Sequence, residues 1–92
     1  MNIAHQSELA KLLAQIKNPR LMAEFLDDLL TPEEYENIAT RWQLVKMLAK
    51  EKPQREISKK LKVAIATITR GSRELKNPSG GFKKILKLYA KK

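Results

Sequence analysis

Residues 54–76, QREISKKLKVAIATITRGSRELK, read as two short helices joined by a tight bend. Ile57 and Leu61 stand four apart, so they share one face of the first helix. Val63 falls in the bend, while Ile65, Ile68 and Leu75 supply the apolar spacing of the second helix. The bend at Lys62-Val63-Ala64 spans about three residues, the length of a helix-turn-helix connection. Gln54, Arg55, Thr67, Thr69, Arg70 and Arg73 lie between the apolar positions, and all of them donate hydrogen bonds. A helix with an apolar back and a Thr/Arg front suits a DNA major groove. Two residues depart from the generic pattern. Lys62 stands where a glycine often relieves the turn, at some cost in backbone strain. Ser58 stands where the helices approach closely and alanine is common, and its small side chain is tolerable there.

The flanking sequence predicts more helices and no strand. Ser7 is a candidate cap for a first helix, Glu8 to about Ile16, with Leu9, Leu12, Leu13 and Ile16 on one side. Asn18-Pro19 breaks it, because a residue preceding proline avoids helical geometry. Pro19 then suits the first turn of a second helix running to about Leu30. Its apolar positions (Leu21, Met22, Phe25, Leu26, Leu29, Leu30) are broad enough to predict burial on more than one side. Thr31-Pro32-Glu33-Glu34 is a strong start for a third helix: threonine caps, proline takes the first position, and Glu34 has capping-box spacing. That helix should run to about Lys50 with Ile38, Trp42, Leu44, Val45, Met47 and Leu48 on a wide apolar surface. Trp42 belongs to a core or subunit interface on this reading. Asn77-Pro78-Ser79-Gly80-Gly81 is a loop. A final helix from Phe82 to about Ala90 carries Phe82, Ile85, Leu86 and Tyr89 on one face. A membrane-surface helix has a similar pattern, but a closing helix packed on the core is preferred. The expectation is an all-α chain of six short helices forming a single domain, 1–92. Within it, 1–50 supply core helices, 53–76 the helix-turn-helix, and 77–92 a loop and the C-terminal helix.

Charge is segregated in the same way. Residues 1–50 hold six Lys/Arg against seven Asp/Glu, a balance of −1, whereas residues 51–92 hold thirteen against three, a balance of +10. A solvated lysine-rich surface would explain part of this, but its coincidence with the helix-turn-helix points to a polyanion partner. With no cysteine and a single histidine, His5, near the N-terminus, neither disulfides, a metal site nor catalysis is expected. No apolar run approaches the ~20 residues that span a bilayer, and the N-terminus lacks a signal-peptide pattern. A soluble, cytoplasmic, non-enzymatic protein is expected. Ninety-two residues bury limited surface alone, so pairing with a second copy is a natural way to complete the core.

The run Ala66-Thr67-Ile68-Thr69-Arg70-Gly71-Ser72, followed by Leu75-Lys76, closely resembles the bacterial tryptophan repressor family. So do Leu30-Thr31-Pro32-Glu33-Glu34 with Thr40-Arg41 behind it, and Gln54-Arg55-Glu56. The blocks occur in family order, with the turn before Gln54 one residue shorter, and the resemblance covers about Leu26 to Lys76. It implies an intertwined all-α homodimer whose first three helices interlock with the partner's. It also implies L-tryptophan as corepressor, control of tryptophan biosynthesis genes, and a palindromic double-stranded DNA operator with half-sites ~34 Å apart.

The resemblance also assigns residues. Arg41 and Arg70 match the two arginines that flank the indole, and Arg70 also pairs with the ligand carboxylate. Guanidinium planes stack on aromatic rings and form forked bonds to carboxylates. Gly71 matches the position that lets the indole lie close to the helix backbone. Asp28 and Leu30 match positions whose carbonyls receive the ligand ammonium, and Thr31 lies beside them. Where the family usually offers the ammonium a serine, this chain has Glu74. A carboxylate there would pair with the ammonium more strongly than a hydroxyl, or would pair with a nearby arginine and close the pocket. For DNA, Gln54 and Arg55 open the first motif helix, with Arg55 matching a direct guanine contact. Ile65, Ala66, Thr67 and Thr69 form the tip of the reading helix, where short side chains leave room for bridging water, which can carry specificity. Lys76 matches a phosphate contact, and Ser58 replaces a family lysine. The expectation is therefore a tryptophan-responsive repressor dimer. The alternatives are a similar DNA-binding dimer that ignores tryptophan and a basic protein that binds nucleic acid without sequence preference.

Overall fold

The computed structural model describes residues 2–89. Six helices follow in order: α1 (Ile3–Gln15), α2 (Pro19–Leu29), α3 (Pro32–Ala49), α4 (Gln54–Leu61), α5 (Ile65–Leu75) and α6 (Gly81–Tyr89). Among the described residues there is no strand. The chain divides into two compact units, Met1–Tyr35 and Glu36–Lys92, so α1, α2 and the first turn of α3 belong to one and everything after to the other.

In the first unit the caps explain the boundaries. Helix α1 begins well before Ser7, because Asn2 caps it: Asn2 Oδ1 accepts the His5 N–H at 3.2 Å. Ser7 therefore lies inside the helix, which corrects the expected start. Asn18 caps α2 by accepting from the N–H groups of Arg20 at 2.8 Å and Leu21 at 3.3 Å, with Pro19 in the first turn. Helix α2 stops at Leu29, since Leu30 is already extended at ψ 149°. Thr31 and Glu34 form the reciprocal capping box expected of them: the Glu34 N–H donates to Thr31 Oγ1 at 3.1 Å and the Thr31 N–H to Glu34 Oε1 at 2.8 Å. No residue of α1 or α2 is buried. The broad burial expected of α2 is thus not met within one chain, and Leu21 and Leu29 stay 53% and 46% exposed.

The second unit does have a core. Leu44 of α3, Ile57 of α4 and Ile68 of α5 form one buried cluster, against which Met47, Leu48, Leu61 and Val63 pack. Full burial of such a side chain contributes ~1.5–3 kcal/mol by removing apolar surface from water.

Two residues other than glycine hold left-handed backbone here. Glu51 has φ 60°, and its N–H donates to the Leu48 carbonyl at 2.9 Å while that of Lys52 reaches the Met47 carbonyl at 3.1 Å. Those two bonds form a Schellman motif that ends α3 and starts the turn before Gln54. Lys62 has φ 57° and ψ 45° at the end of α4, the strain expected where glycine is missing. Ser58 ties the same bend: its hydroxyl donates to the Val63 carbonyl at 2.7 Å, and the Val63 N–H returns to the Ser58 carbonyl at 3.3 Å. The bend spans Lys62, Val63 and Ala64, as the sequence predicts. The last helix starts at Gly81, after a turn in which Asn77 accepts from the N–H groups of Ser79 and Gly80. Its expected end at Ala90 lies outside the described residues.

Candidate functional site

Helices α3 and α5 of the second unit enclose a cleft of about 400 Å³. From α3 come Asn37, Thr40, Arg41 and Leu44, from the bend Val63 and Ala64, and from α5 Thr67, Arg70, Gly71 and Glu74. The spacing explains the set. Residues 37, 41 and 44 follow the i, i+4, i+7 stripe of one helix face, and residues 67, 70, 71 and 74 do the same on α5. The fold therefore brings Arg41, Arg70, Gly71 and Glu74 to one place. Asn37, Thr40 and Leu44 join the expected residues in the cleft, and a helical stripe drawn through Arg41 leads to Asn37 and Leu44.

Gly71 is buried in the floor of this cleft. A methyl group there would stand 3.1 Å from Leu44 Cδ2 and 3.6 Å from Leu48 Cδ1, so its missing side chain is what lets α5 approach α3. The cleft thus has an apolar floor of Leu44 and Gly71 and a charged rim. On that rim Arg70 Nε lies 3.5 Å from Glu74 Oε1, one helical turn away, with the two side chains 81% and 49% exposed. Glu74 thus pairs with a nearby arginine while the cleft it lines stays open.

Asp28, Leu30 and Thr31 belong to the first unit. Asp28 is exposed in the last turn of α2, and its carbonyl has no intrahelical donor, because the residue four positions on is Pro32, which carries no N–H. Leu30 is half-buried at the C-cap. The hydroxyl and backbone N–H of Thr31 are both engaged by Glu34.

The residues expected to face DNA occupy the two helix starts and the end of α5. Gln54 is half-buried and Arg55 exposed at the start of α4; Ile65, Ala66, Thr67 and Thr69 are exposed on α5, and Lys76 caps its C-terminal end. Thr69 Oγ1 donates to the Ile65 carbonyl at 3.1 Å, so its proton is spent within the helix and the oxygen remains as an acceptor. Thr67 lines the cleft as well as the α5 surface. A second, largely apolar hollow of about 470 Å³ is lined by Trp42, Phe82 and Ile85, with Glu74 at its edge. Among the described residues no group of His, Asp or Glu is arranged to hold a metal ion, and no helix is long and apolar enough to cross a membrane.

The family model described as Trp repressor protein matches residues 4–89, nearly the whole chain. The chain belongs to the Trp repressor family. A Trp operon repressor homolog of Chlamydia caviae is 41% identical over 81 residues, covering 87% of this chain and 80% of that protein. Those of Vibrio parahaemolyticus and Actinobacillus succinogenes are 51% and 52% identical, over 65% and 58% of this chain and 59% and 54% of their own lengths. The matched segment thus spans little more than half of those two relatives. No solved structure matches the chain. Membership of the Trp repressor family, a regulatory and non-enzymatic family, makes the protein a transcriptional regulator.

Proposed function

We propose that the protein is a homodimeric, sequence-specific repressor that takes L-tryptophan as corepressor and binds a palindromic operator of tryptophan biosynthesis genes. One observation carries this: α5 presents both the cleft-lining residues Arg70, Gly71 and Glu74 and the exposed residues Ile65, Ala66, Thr67 and Thr69. A ligand seated against α5 would thereby set the position of a groove-reading helix. The cleft fits an amphipathic amino acid. Its volume lies within the ~300–1,000 Å³ typical of small-molecule sites, its floor is apolar, and two guanidinium groups line it for a carboxylate and a ring face. Arg41 and Arg70 would hold the indole and carboxylate; the carbonyls of Asp28 and Leu30, with Thr31 beside them, and Glu74 are the groups proposed for the ammonium.

Gln54, Arg55 and Lys76, with the tip of α5, form the proposed DNA surface. The homodimer is supported by the unburied apolar faces of α1 and α2. On this proposal residues 1–50 form the dimerisation core of a single domain, residues 53–76 the helix-turn-helix, and residues 77–92 a loop and closing helix.

The test is operator selection from a random duplex pool, followed by binding isotherms with and without L-tryptophan. Tryptophan should tighten binding to a palindromic site, and Arg70→Ala should abolish that response while leaving the circular dichroism spectrum unchanged. A wild-type isotherm indifferent to tryptophan would sink the corepressor assignment. It would favour a second reading, a tryptophan-independent DNA-binding dimer, for which the Arg70–Glu74 pair already occupying the rim is the relevant observation. Binding to every duplex alike, with steep salt dependence, would reduce the protein to a basic nucleic-acid binder.

A further inference from the structure

The rim of the cleft carries an electrostatic imbalance that the ligand must resolve. Glu74 sits in the last turn of α5, where the helix dipole presents its negative end and disfavours a carboxylate. It is relieved by Arg70, but only through a 3.5 Å contact between two exposed side chains one turn apart. Such a pair is solvent-screened and exchanges readily. Arg70 is the more exposed partner at 81%, so its guanidinium keeps its water when the pair opens. Glu74 is less exposed at 49% and sits in the last helical turn, so it bears the larger penalty when left alone.

We infer that Glu74 determines ligand specificity, with the Arg70–Glu74 pair exchanged for the two charges of a zwitterionic ligand. The inference rests on the cleft being the corepressor site. A ligand carboxylate takes Arg70 and the ligand ammonium takes Glu74, so both members of the opened pair find a new partner. An acid without an amine takes Arg70 and strands Glu74 beside both a carboxylate and the helix end. An amine without an acid takes Glu74 and leaves Arg70 to water. At this rim the amino acid is therefore preferred over the acid that lacks its amine.

The experiment is calorimetric titration of the full chain with L-tryptophan, tryptamine and indole-3-propionate, repeated on Glu74→Gln and Glu74→Ser. Wild type should bind L-tryptophan at least about fivefold more tightly than indole-3-propionate, the factor that an exposed charge contact of ~1 kcal/mol supplies. Both variants should bring that ratio to about one, chiefly by gaining affinity for the acid. Identical thermal unfolding of the three proteins guards against misfolding, and because Glu74 is half exposed, one of the two variants suffices. If all three indoles bind but the ratio is the same with and without the Glu74 charge, the specificity role is overturned and the corepressor site stands. If none binds to any of the proteins, the cleft is not an indole site, and both proposals fall together.

Discussion

The first unit of this chain is the richer in apolar residues, 17 of 35 against 22 of 57, yet the two units reach opposite outcomes in burial. Residues 1–35 carry three Lys/Arg and six Asp/Glu, a balance of −3, and bury no side chain of α1 or α2. Residues 36–92 carry sixteen against four, a balance of +12, and bury Leu44, Val45, Ile57 and Ile68 to 2% exposure or less. The basic half closes a core of its own because three helices with short connections converge on it. The acidic half has strong caps at Asn2, Asn18 and Thr31 yet leaves Leu9, Leu12, Leu21 and Leu29 between 38% and 53% exposed. Caps define where a helix starts; they do not supply a surface for it to pack on. The first unit thus keeps apolar faces that its own chain leaves uncovered, and the second is the one whose core holds the α3–α5 cleft in place.

The contrast can be broken most directly at Ile68. Ile68→Ala should cost ~2–5 kcal/mol in urea unfolding, because it opens a cavity where nothing is exposed; a loss below about 1 kcal/mol would mean that the second unit has no real core. Leu21→Asp probes the other half. In a lone chain a residue 53% exposed tolerates such a change to within about 0.5 kcal/mol. If a partner covers it, the variant should sediment as a monomer at concentrations where wild type is a dimer.

Smaller effects sharpen the picture around the bend. Ser58→Ala should lose about 1 kcal/mol with the 2.7 Å bond to the Val63 carbonyl, whereas Lys62→Gly should gain up to about 1 kcal/mol by relieving the φ of 57°. A bend tolerant of both changes would not be the rigid connection described. Smallest of all, Glu74→Gln should alter thermal stability by less than about 0.5 kcal/mol, since the pair with Arg70 is exposed. A larger loss would make Glu74 a structural residue rather than a ligand-selecting one.

Most of the helices could be read from local chemistry. Pro19, the Thr31–Glu34 capping box and the Lys62-Val63-Ala64 bend act within one helical turn, so their sequence signatures are complete in themselves. The start of α1 is ambiguous in the sequence because Ser7 and Asn2 are both competent caps, and only the hydrogen bond to the His5 N–H shows which is used. The site divides in the same manner. Arg41, Arg70 and Gly71 are legible in the ATITRGS and Thr40-Arg41 blocks and Glu74 just beyond them, but Asn37, Thr40 and Leu44 join them only because α5 packs on α3.

Composition and local spacing alone determined an all-helical chain, its bend and its polarised charge. Those properties depend on residues within about four positions of one another or on simple counts. The tertiary structure decided the rest, above all that Gly71 of α5 lies against Leu44 of α3. It also decided which apolar faces close on one another and which remain uncovered. A hydrophobic stripe specifies that a helix must be covered, but only distances between helices say by what.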